Sequence, residues 1–195
     1  MESTFALDDQ LTTRQRQLVD HLVDLFLREG FAQLTLDDLA ARLGCSKRTL
    51  YALADSKEQL AVRAVRHFFK RATGQVEAAI ARTRSPAARV TRYLEAVAEA
   101  LRPAGSRFRR DLDRNAATRE VYEQNTIAAA TRVRDLIDEG IRAGAFRNVS
   151  AVFVGEVVTA TMRRITSGEI GRATGLDDAQ AYAELAKLVV TAVRR

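Results

Sequence analysis

The sequence of 195 residues predicts an all-α protein of about nine helices. Apolar residues make up 47% of the chain, so a globular protein is expected rather than a disordered one. Ala and Leu, which favour helices, are abundant, and the chain has only two Pro and ten Gly. Most of these helix breakers fall between runs whose apolar residues repeat every three or four positions, the spacing of one helix face.

The first part of the chain predicts two helices after a loose arm at residues 1 to about 11. The first helix is expected from Thr12 or Thr13 to Glu29. Thr35 is placed to cap the second, and Asp38, three residues later, completes a capping box. The apolar residues of this second helix repeat at i, i+3, i+4 and i+7 on one face: Leu36, Leu39, Ala40 and Leu43.

A tight turn and a third helix follow. Gly44 is expected to end the second helix, because a helix C-terminus often needs a positive φ. Ser46 is the predicted cap of a helix from Lys47 to about Leu53, and Ser56 that of a fourth helix. Two short helices around a turn of three residues that contains Gly match the helix-turn-helix motif.

The third helix carries the chemistry that suits DNA. Leu50 is expected to point inward, and the other side carries cations, a hydroxyl group and a phenol. Such groups suit phosphate contacts and the reading of base edges. Arg48 in particular could pair with O6 and N7 of a guanine.

These residues resemble a known family. The runs Ser46-Lys47-Arg48-Thr49-Leu50-Tyr51 and Ser56-Lys57-Glu58-Gln59-Leu60 resemble the DNA-binding domain of TetR/AcrR-type transcriptional regulators, and the resemblance covers about residues 12 to 66. It implies that Lys47 and Thr49 touch bases or phosphates and that Tyr51 and Lys57 touch phosphates. The full set of predicted DNA-binding residues is Thr35, Ser46, Lys47, Arg48, Thr49, Tyr51 and Lys57.

We expect two domains, a DNA-binding domain at residues 1–56 and a C-terminal ligand-binding and dimerisation domain at residues 57–195. A helix from Lys57 to about Arg82 would join them. Breaks are expected at Gly168 and Gly171. The other predicted helices begin after a cap at Ser85, at Ser106, at about Ala117, after Ser150 and after Asp177.

The second domain is expected to hold an effector and to form a homodimer. The resemblance implies a small-molecule pocket, for which the candidates are Tyr93, Phe108, Tyr122, Phe153, Thr159 and Met162. The last two long helices carry more apolar surface than one core face requires, so they could pair with the helices of a second copy. The candidates for that interface are Val154, Val158, Met162, Tyr182, Leu185 and Val189.

Charge and composition narrow the alternatives. The net charge of +6 does not lie in the DNA-binding segment, since residues 1–66 carry nine Lys and Arg against ten Asp and Glu. DNA binding must therefore rest on local placement of cations. A single Cys and the lack of a long apolar run predict a cytoplasmic protein with no membrane partner. The sequence has no catalytic or metal-binding motif, and no cofactor is expected.

Together these features predict a sequence-specific transcriptional regulator, a repressor that responds to a ligand and binds a palindromic DNA operator as a homodimer. Two alternatives remain open: a DNA-binding dimer that needs no effector, and an all-helical enzyme or small-molecule-binding protein that merely contains a helix-turn-helix. The sequence does not identify the operator, the effector, the regulated genes or the direction of regulation.

Overall fold

The structure, a computed structural model, describes residues 11–195, and the predicted N-terminal arm lies outside them. Within that range there are ten helices and one isolated β-bridge, so the all-α prediction is confirmed. The helices are α1 Thr13–Glu29, α2 Leu36–Arg42, α3 Lys47–Tyr51, α4 Lys57–Ala81, α5 Pro86–Leu101, α6 Ser106–Arg114, α7 Ala116–Arg142, α8 Ala151–Thr166, α9 Glu169–Thr174 and α10 Asp178–Val193.

The predicted helix caps are confirmed at α2, α3 and α10. Thr35 and Asp38 form both hydrogen bonds of a capping box, and Ser46 accepts the N–H of the third residue of α3. Gly44 adopts a φ of +60° after α2, where the Cys45 N–H reaches the carbonyl of residue 40 at 3.0 Å. This Schellman-type ending is why the turn into α3 is tight.

The structure has one helix more than the sequence predicts. Gly168 has a φ of +73° and ends α8, as expected, but Gly171 lies inside the short helix α9. Glu169 stabilises the start of α9, because its carboxylate accepts hydrogen bonds from Arg164 and Ser167, each at 3.1 Å. An acidic residue in the first turn is also favoured by the helix dipole. The break predicted at Gly171 was therefore wrong.

The chain divides into two compact units. The described part of unit 1 consists of residues 11–71 and 103–122, and unit 2 consists of residues 72–102 and 123–195. Helix α6 therefore belongs to the same unit as the helix-turn-helix, although it lies beyond α5 in the chain. The functional boundary predicted between residues 56 and 57 stays a prediction.

A cluster of aromatic side chains lies in the core of unit 1. Phe31, just after α1, lies with its ring centroid 5.3 Å from that of Phe26 and 6.1 Å from that of Phe108 on α6. The Phe108 ring is also 5.8 Å from the ring of Phe68 on α4, in an edge-on arrangement. Aromatic pairs at these distances add to the gain from burial alone. The cluster thus ties α1, α4 and α6 together.

Unit 2 has its own apolar core, in which α10 packs against α5 and α8. Its half-buried charges are paired: Arg132 on α7 contacts Glu77 on α4 at 2.8 Å and Glu139 at 3.3 Å. Arg89 on α5 also pairs with Glu139. These ion pairs lower the pKa of Glu139 against the opposing effect of burial. The network joins α4, α5 and α7 inside unit 2.

No helix in the described part of the chain is both long enough and apolar enough to cross a membrane.

The aromatic cluster of unit 1 can be tested by truncation. Phe108→Ala should lower the free energy of unfolding by about 3–5 kcal/mol, because it removes a buried ring and leaves a cavity. Urea denaturation followed by circular dichroism measures the change. Ile127→Ala is the control: Ile127 is 57% exposed, so the change should cost less than about 0.5 kcal/mol. Equal losses in the two variants would contradict the role of the Phe108 ring.

Candidate nucleic-acid interface

Helix α3 exposes a polar arc and buries its opposite side. Leu50 is only 1% exposed, and Leu53, just past the helix, is 3% exposed. Lys47, Arg48 and Tyr51 are exposed and lie within an arc of about 100° around the helix axis, given 3.6 residues per turn. The arc carries two cations and a phenol, groups that suit phosphate contacts and hydrogen bonds to base edges.

The hydroxyl groups predicted to contact DNA fix the starts of α2 and α3. Oγ of Ser46 accepts the Thr49 N–H at 3.1 Å and lies 2.9 Å from Oγ1 of Thr49. Oγ1 of Thr35 donates to Oδ2 of Asp38 at 2.7 Å and accepts the Asp38 N–H at 3.1 Å. The side-chain hydrogen bond from Thr35 lowers the pKa of Asp38 below its usual range. These residues therefore position the helix-turn-helix, whatever else they contact.

Lys47 forms an ion pair across the turn between α2 and α3. Its Nζ lies 2.7 Å from Oδ1 of Asp37, and both side chains are exposed. The hydrogen bond to Asp37 raises the pKa of Lys47 above its usual value. Exposed ion pairs are weak and screened by salt, so a phosphate can displace this carboxylate. If Lys47 contacts DNA as predicted, Asp37 would compete with the phosphate for it.

Lys57, in the first turn of α4, is half-buried and points back to the loop between α1 and α2. Its Nζ donates a hydrogen bond to the carbonyl oxygen of Ala32 at 2.7 Å. An ammonium group has three donors, so two remain for a phosphate oxygen. The loop thus fixes the position of the one α4 cation in the predicted DNA-binding set.

The six predicted ligand-binding residues are divided between the two units. Phe108 and Tyr122 belong to unit 1. Phe108 is buried in the aromatic cluster, and the Tyr122 ring lies 5.9 Å from the ring of Phe69. Both side chains therefore contribute to the packing of the unit that contains the helix-turn-helix.

The other four candidates belong to unit 2. Tyr93 and Met162 are buried in its core, and burial raises the pKa of Tyr93 well above its usual value. Thr159 is buried and donates a hydrogen bond to the carbonyl of Gly155 at 2.7 Å. Phe153 is 68% exposed. Its ring therefore lies on the surface of α8, and its assignment to a pocket stays a prediction.

Two cavities lie within unit 2. A cleft of about 500 Å³ is large enough for a small molecule. Its polar lining consists of Thr83, Ser85, Thr91, Arg92, Glu95 and Arg194. A smaller groove of about 180 Å³ lies along α7 and α8. Of the predicted ligand-binding residues, Thr159 lines this groove.

Most of the residues predicted for a dimer interface are enclosed by their own chain. Val154 is half-buried, and the other five are no more than 5% exposed: Val158, Met162, Tyr182, Leu185 and Val189. They pack in the core of unit 2, and five of them have almost no surface left for a partner. The assignment of these residues to an interface stays a prediction, and so does the dimer itself.

Part of the exposed apolar surface of unit 2 lies on other residues of α8 and on α10. Phe153 is 68% exposed, Val157 is 45% exposed, and Ala160 follows on the same face of α8. Leu188 on α10 is 68% exposed. The spacing i, i+4 and i+7 of the three α8 residues was visible in the sequence. Because α8 has apolar residues around most of its circumference, this spacing did not show which apolar residues face the core and which face the solvent.

Within residues 11–195, no group of three or more His, Cys, Asp or Glu side chains is placed to hold a metal ion.

The geometry defines a helix-turn-helix domain of the kind that transcriptional regulators use. The profile of bacterial regulatory proteins of the tetR family matches residues 18–64, the segment that holds α1 to α3 and the start of α4. This segment is therefore a TetR-type DNA-binding domain, and the resemblance predicted from the sequence is confirmed. No curated protein matches the chain.

Solved structures show the same fold over nearly the whole chain. A transcriptional regulator from Cytophaga hutchinsonii superposes with a TM-score of 0.77 at 14% identity, covering 94% of this chain and 100% of that one. A TetR regulator from Haloarcula marismortui gives 0.76 at 18% identity, with coverages of 94% and 100%. A putative regulator from Saccharomonospora viridis, solved in complex with choline, gives 0.75 at 17%, with coverages of 93% and 98%. The chain therefore has the fold of a TetR-family transcriptional regulator.

The pair between Asp37 and Lys47 can be tested by removing its charge. Asp37→Asn should strengthen binding to any duplex about threefold at low salt, because Lys47 is freed and a phosphate no longer faces a carboxylate. Fluorescence anisotropy with an unrelated duplex measures this. Glu123→Gln, an equal change of charge at an exposed position in unit 2, should leave the affinity within error. Equal effects of the two variants would mean that only net charge matters.

Proposed function

We propose that the protein is a ligand-responsive transcriptional repressor that binds a palindromic operator as a homodimer. The observation that carries this proposal is the polar arc of α3. Two buried leucines hold the helix in place while Lys47, Arg48 and Tyr51 stay exposed. In helix-turn-helix proteins the second helix enters the major groove in this way.

Within this proposal the contacts divide by chemistry. Arg48 would read a base, because a guanidinium group pairs with O6 and N7 of guanine. Lys47, Tyr51 and Lys57 would contact phosphates, while Thr35, Ser46 and Thr49 would fix the helices and add shorter contacts. The unfavourable net charge of residues 1–66 makes this local placement decisive.

The homodimer would form through the exposed apolar stripe of unit 2, defined here as Phe153, Val157, Ala160 and Leu188. Large apolar side chains that are mostly exposed on neighbouring helices mark interaction surfaces. Because α8 packs against α10 within unit 2, their counterparts in a second copy could complete a four-helix bundle. A dimer would place two α3 helices on half-sites about 34–36 Å apart.

An effector would bind in the C-terminal part of the chain, residues 57–195, and favour a conformation that cannot bind DNA. It would thereby shift the population and release the operator. The Saccharomonospora viridis protein, solved with choline, supports a small-molecule site in a chain of this fold. In unit 2 the cleft of about 500 Å³ is large enough for such a molecule. This function requires no enzymatic step and fits a cytoplasmic protein.

Sequence-specific binding is tested with DNA from the region upstream of the gene. Fluorescence anisotropy across a salt series should give an affinity at least tenfold above that for a scrambled duplex. Arg48→Ala should reduce this ratio, because one base pair is no longer read. Lys57→Ala should instead weaken binding to both duplexes and lower the salt slope by about one. If neither variant alters binding, the assigned face of the protein is wrong.

The dimer is tested by placing a charge on the apolar stripe. Val157→Glu and Leu188→Glu should each convert the dimer of 21.6-kDa chains to monomers at micromolar concentration, because an unpaired carboxylate would be buried at the interface. Sedimentation velocity gives the mass. Ile127→Glu, at an exposed apolar residue outside the stripe, is the matched control and should remain dimeric. Dimers that survive all three changes would rule out the stripe as the interface.

A further inference from the structure

Beside the packing of Phe108 on Phe31, a carboxylate of α6 makes two hydrogen bonds to the loop between α1 and α2. Oδ2 of Asp111 accepts the Phe31 N–H at 2.7 Å and the Ala32 N–H at 2.9 Å, across about eighty positions of sequence. Hydrogen bonds to an ionised acceptor are shorter and stronger than neutral ones. The carboxylate therefore fixes the direction of two successive peptide groups.

The backbone around this contact is shaped for it. Gly30 has a φ of +79°, and a Cβ atom at this position would lie 2.5 Å from Oδ2 of Asp111. The N–H of Gly105, just before α6, donates to the carbonyl of Leu27 on α1 at 3.0 Å. The backbone therefore approaches its partner closely at both Gly30 and Gly105. At Gly30 the positive φ also requires glycine.

The same loop residue also holds a DNA-binding cation. The Ala32 N–H donates to Asp111, and the Ala32 carbonyl oxygen accepts a hydrogen bond from the Lys57 ammonium at 2.7 Å. The peptide group that precedes Ala32 is oriented by α6, and the one that follows it is held by α4. At the far end of α6, the Asn115 side chain also donates to Glu58 in the first turn of α4, at 3.2 Å.

We propose that Asp111 is a positioning residue for DNA binding, which holds the loop so that the Lys57 ammonium is already placed for a phosphate. This inference rests on the proposed function. A lysine side chain has many rotamers, and fixing it before contact removes part of the entropy that binding would otherwise cost. The hydrogen bond to Ala32 uses one of three donors and leaves two for the phosphate.

Helix α6 is then a second determinant of DNA affinity, although this helix lies outside the helix-turn-helix sequence. Helix α6 follows α5, which is in unit 2, and α7 leads from unit 1 back into unit 2. The two stretches of chain that flank residues 103–122 therefore belong to unit 2, the unit proposed to bind the effector. A change there that withdraws the carboxylate would release Lys57 without altering α3.

The test combines Asp111→Asn with a readout that does not need DNA. The protein has four lysines, and acetylation by a small reagent, followed by mass spectrometry, reports each one separately. In Asp111→Asn the labelling rate of Lys57 should rise about threefold relative to Lys187, because the loop no longer holds its ammonium. Asp113→Asn makes the same charge change at an exposed position of α6 and should leave this ratio unchanged.

The second readout is the salt dependence of binding to a duplex. Asp111→Asn should lower the salt slope by about one, as Lys57→Ala does, and the double variant should lose no more. If the Asp111 carboxylate merely stabilises unit 1, its removal would lower the melting temperature and leave the salt slope of the folded protein unchanged. Unchanged Lys57 labelling, or additive effects in the double variant, would overturn the proposal.

The two proposals fail in different ways. If the wild type binds its upstream DNA no better than a scrambled duplex, the repressor proposal fails. The slope on the scrambled duplex then still decides the role of Asp111. If it binds no duplex at all, both the function and the role of Asp111 in DNA binding are excluded. Lys57 labelling would then show only whether Asp111 orders the loop.

Discussion

The packing of the Phe108 ring against Phe31 and Phe68 is the constraint on which the DNA-binding unit depends. It joins three stretches of chain that lie far apart in sequence, and each contributes a helix or a loop to unit 1. Helices α2 and α3 have only seven and five residues, too short to be stable alone. Because Leu39 and Leu50 are almost fully buried, both helices depend on tertiary packing for their stability.

In this unit the lysines that are predicted to contact DNA are held by hydrogen bonds to neighbouring groups. Lys47 is paired with Asp37, and Lys57 is bonded to the carbonyl of Ala32. The segment up to residue 66 has a slight excess of acidic side chains, although the whole chain is basic. Non-specific attraction of this segment to DNA would therefore be small, which would favour recognition by a few well-placed groups over general electrostatic binding.

Local hydrogen bonds explain what the sequence could predict. The caps at Thr35, Ser46 and Asp177 depend on residues three positions apart, so their spacing alone identified them. The place of Phe108 depends on partners forty or more positions away. Likewise, α8 is apolar on two sides, and only tertiary packing decides that Val158 faces the core and Phe153 the solvent. The spacing of apolar residues along the chain does not show which side of α8 faces the core and which faces the solvent.

The membership of α6 in unit 1 changes where the chain can be divided. A fragment that ends at residue 71 would keep the recognition helix but lose residues 103–122. Phe31 and Phe68 would then be open to water on the side that Phe108 covers. Chimeric regulators that join this DNA-binding segment to a foreign effector domain must therefore carry α6 with it. The part of this chain that can be transferred as one unit is therefore set by its packing and not by the linear order of its helices.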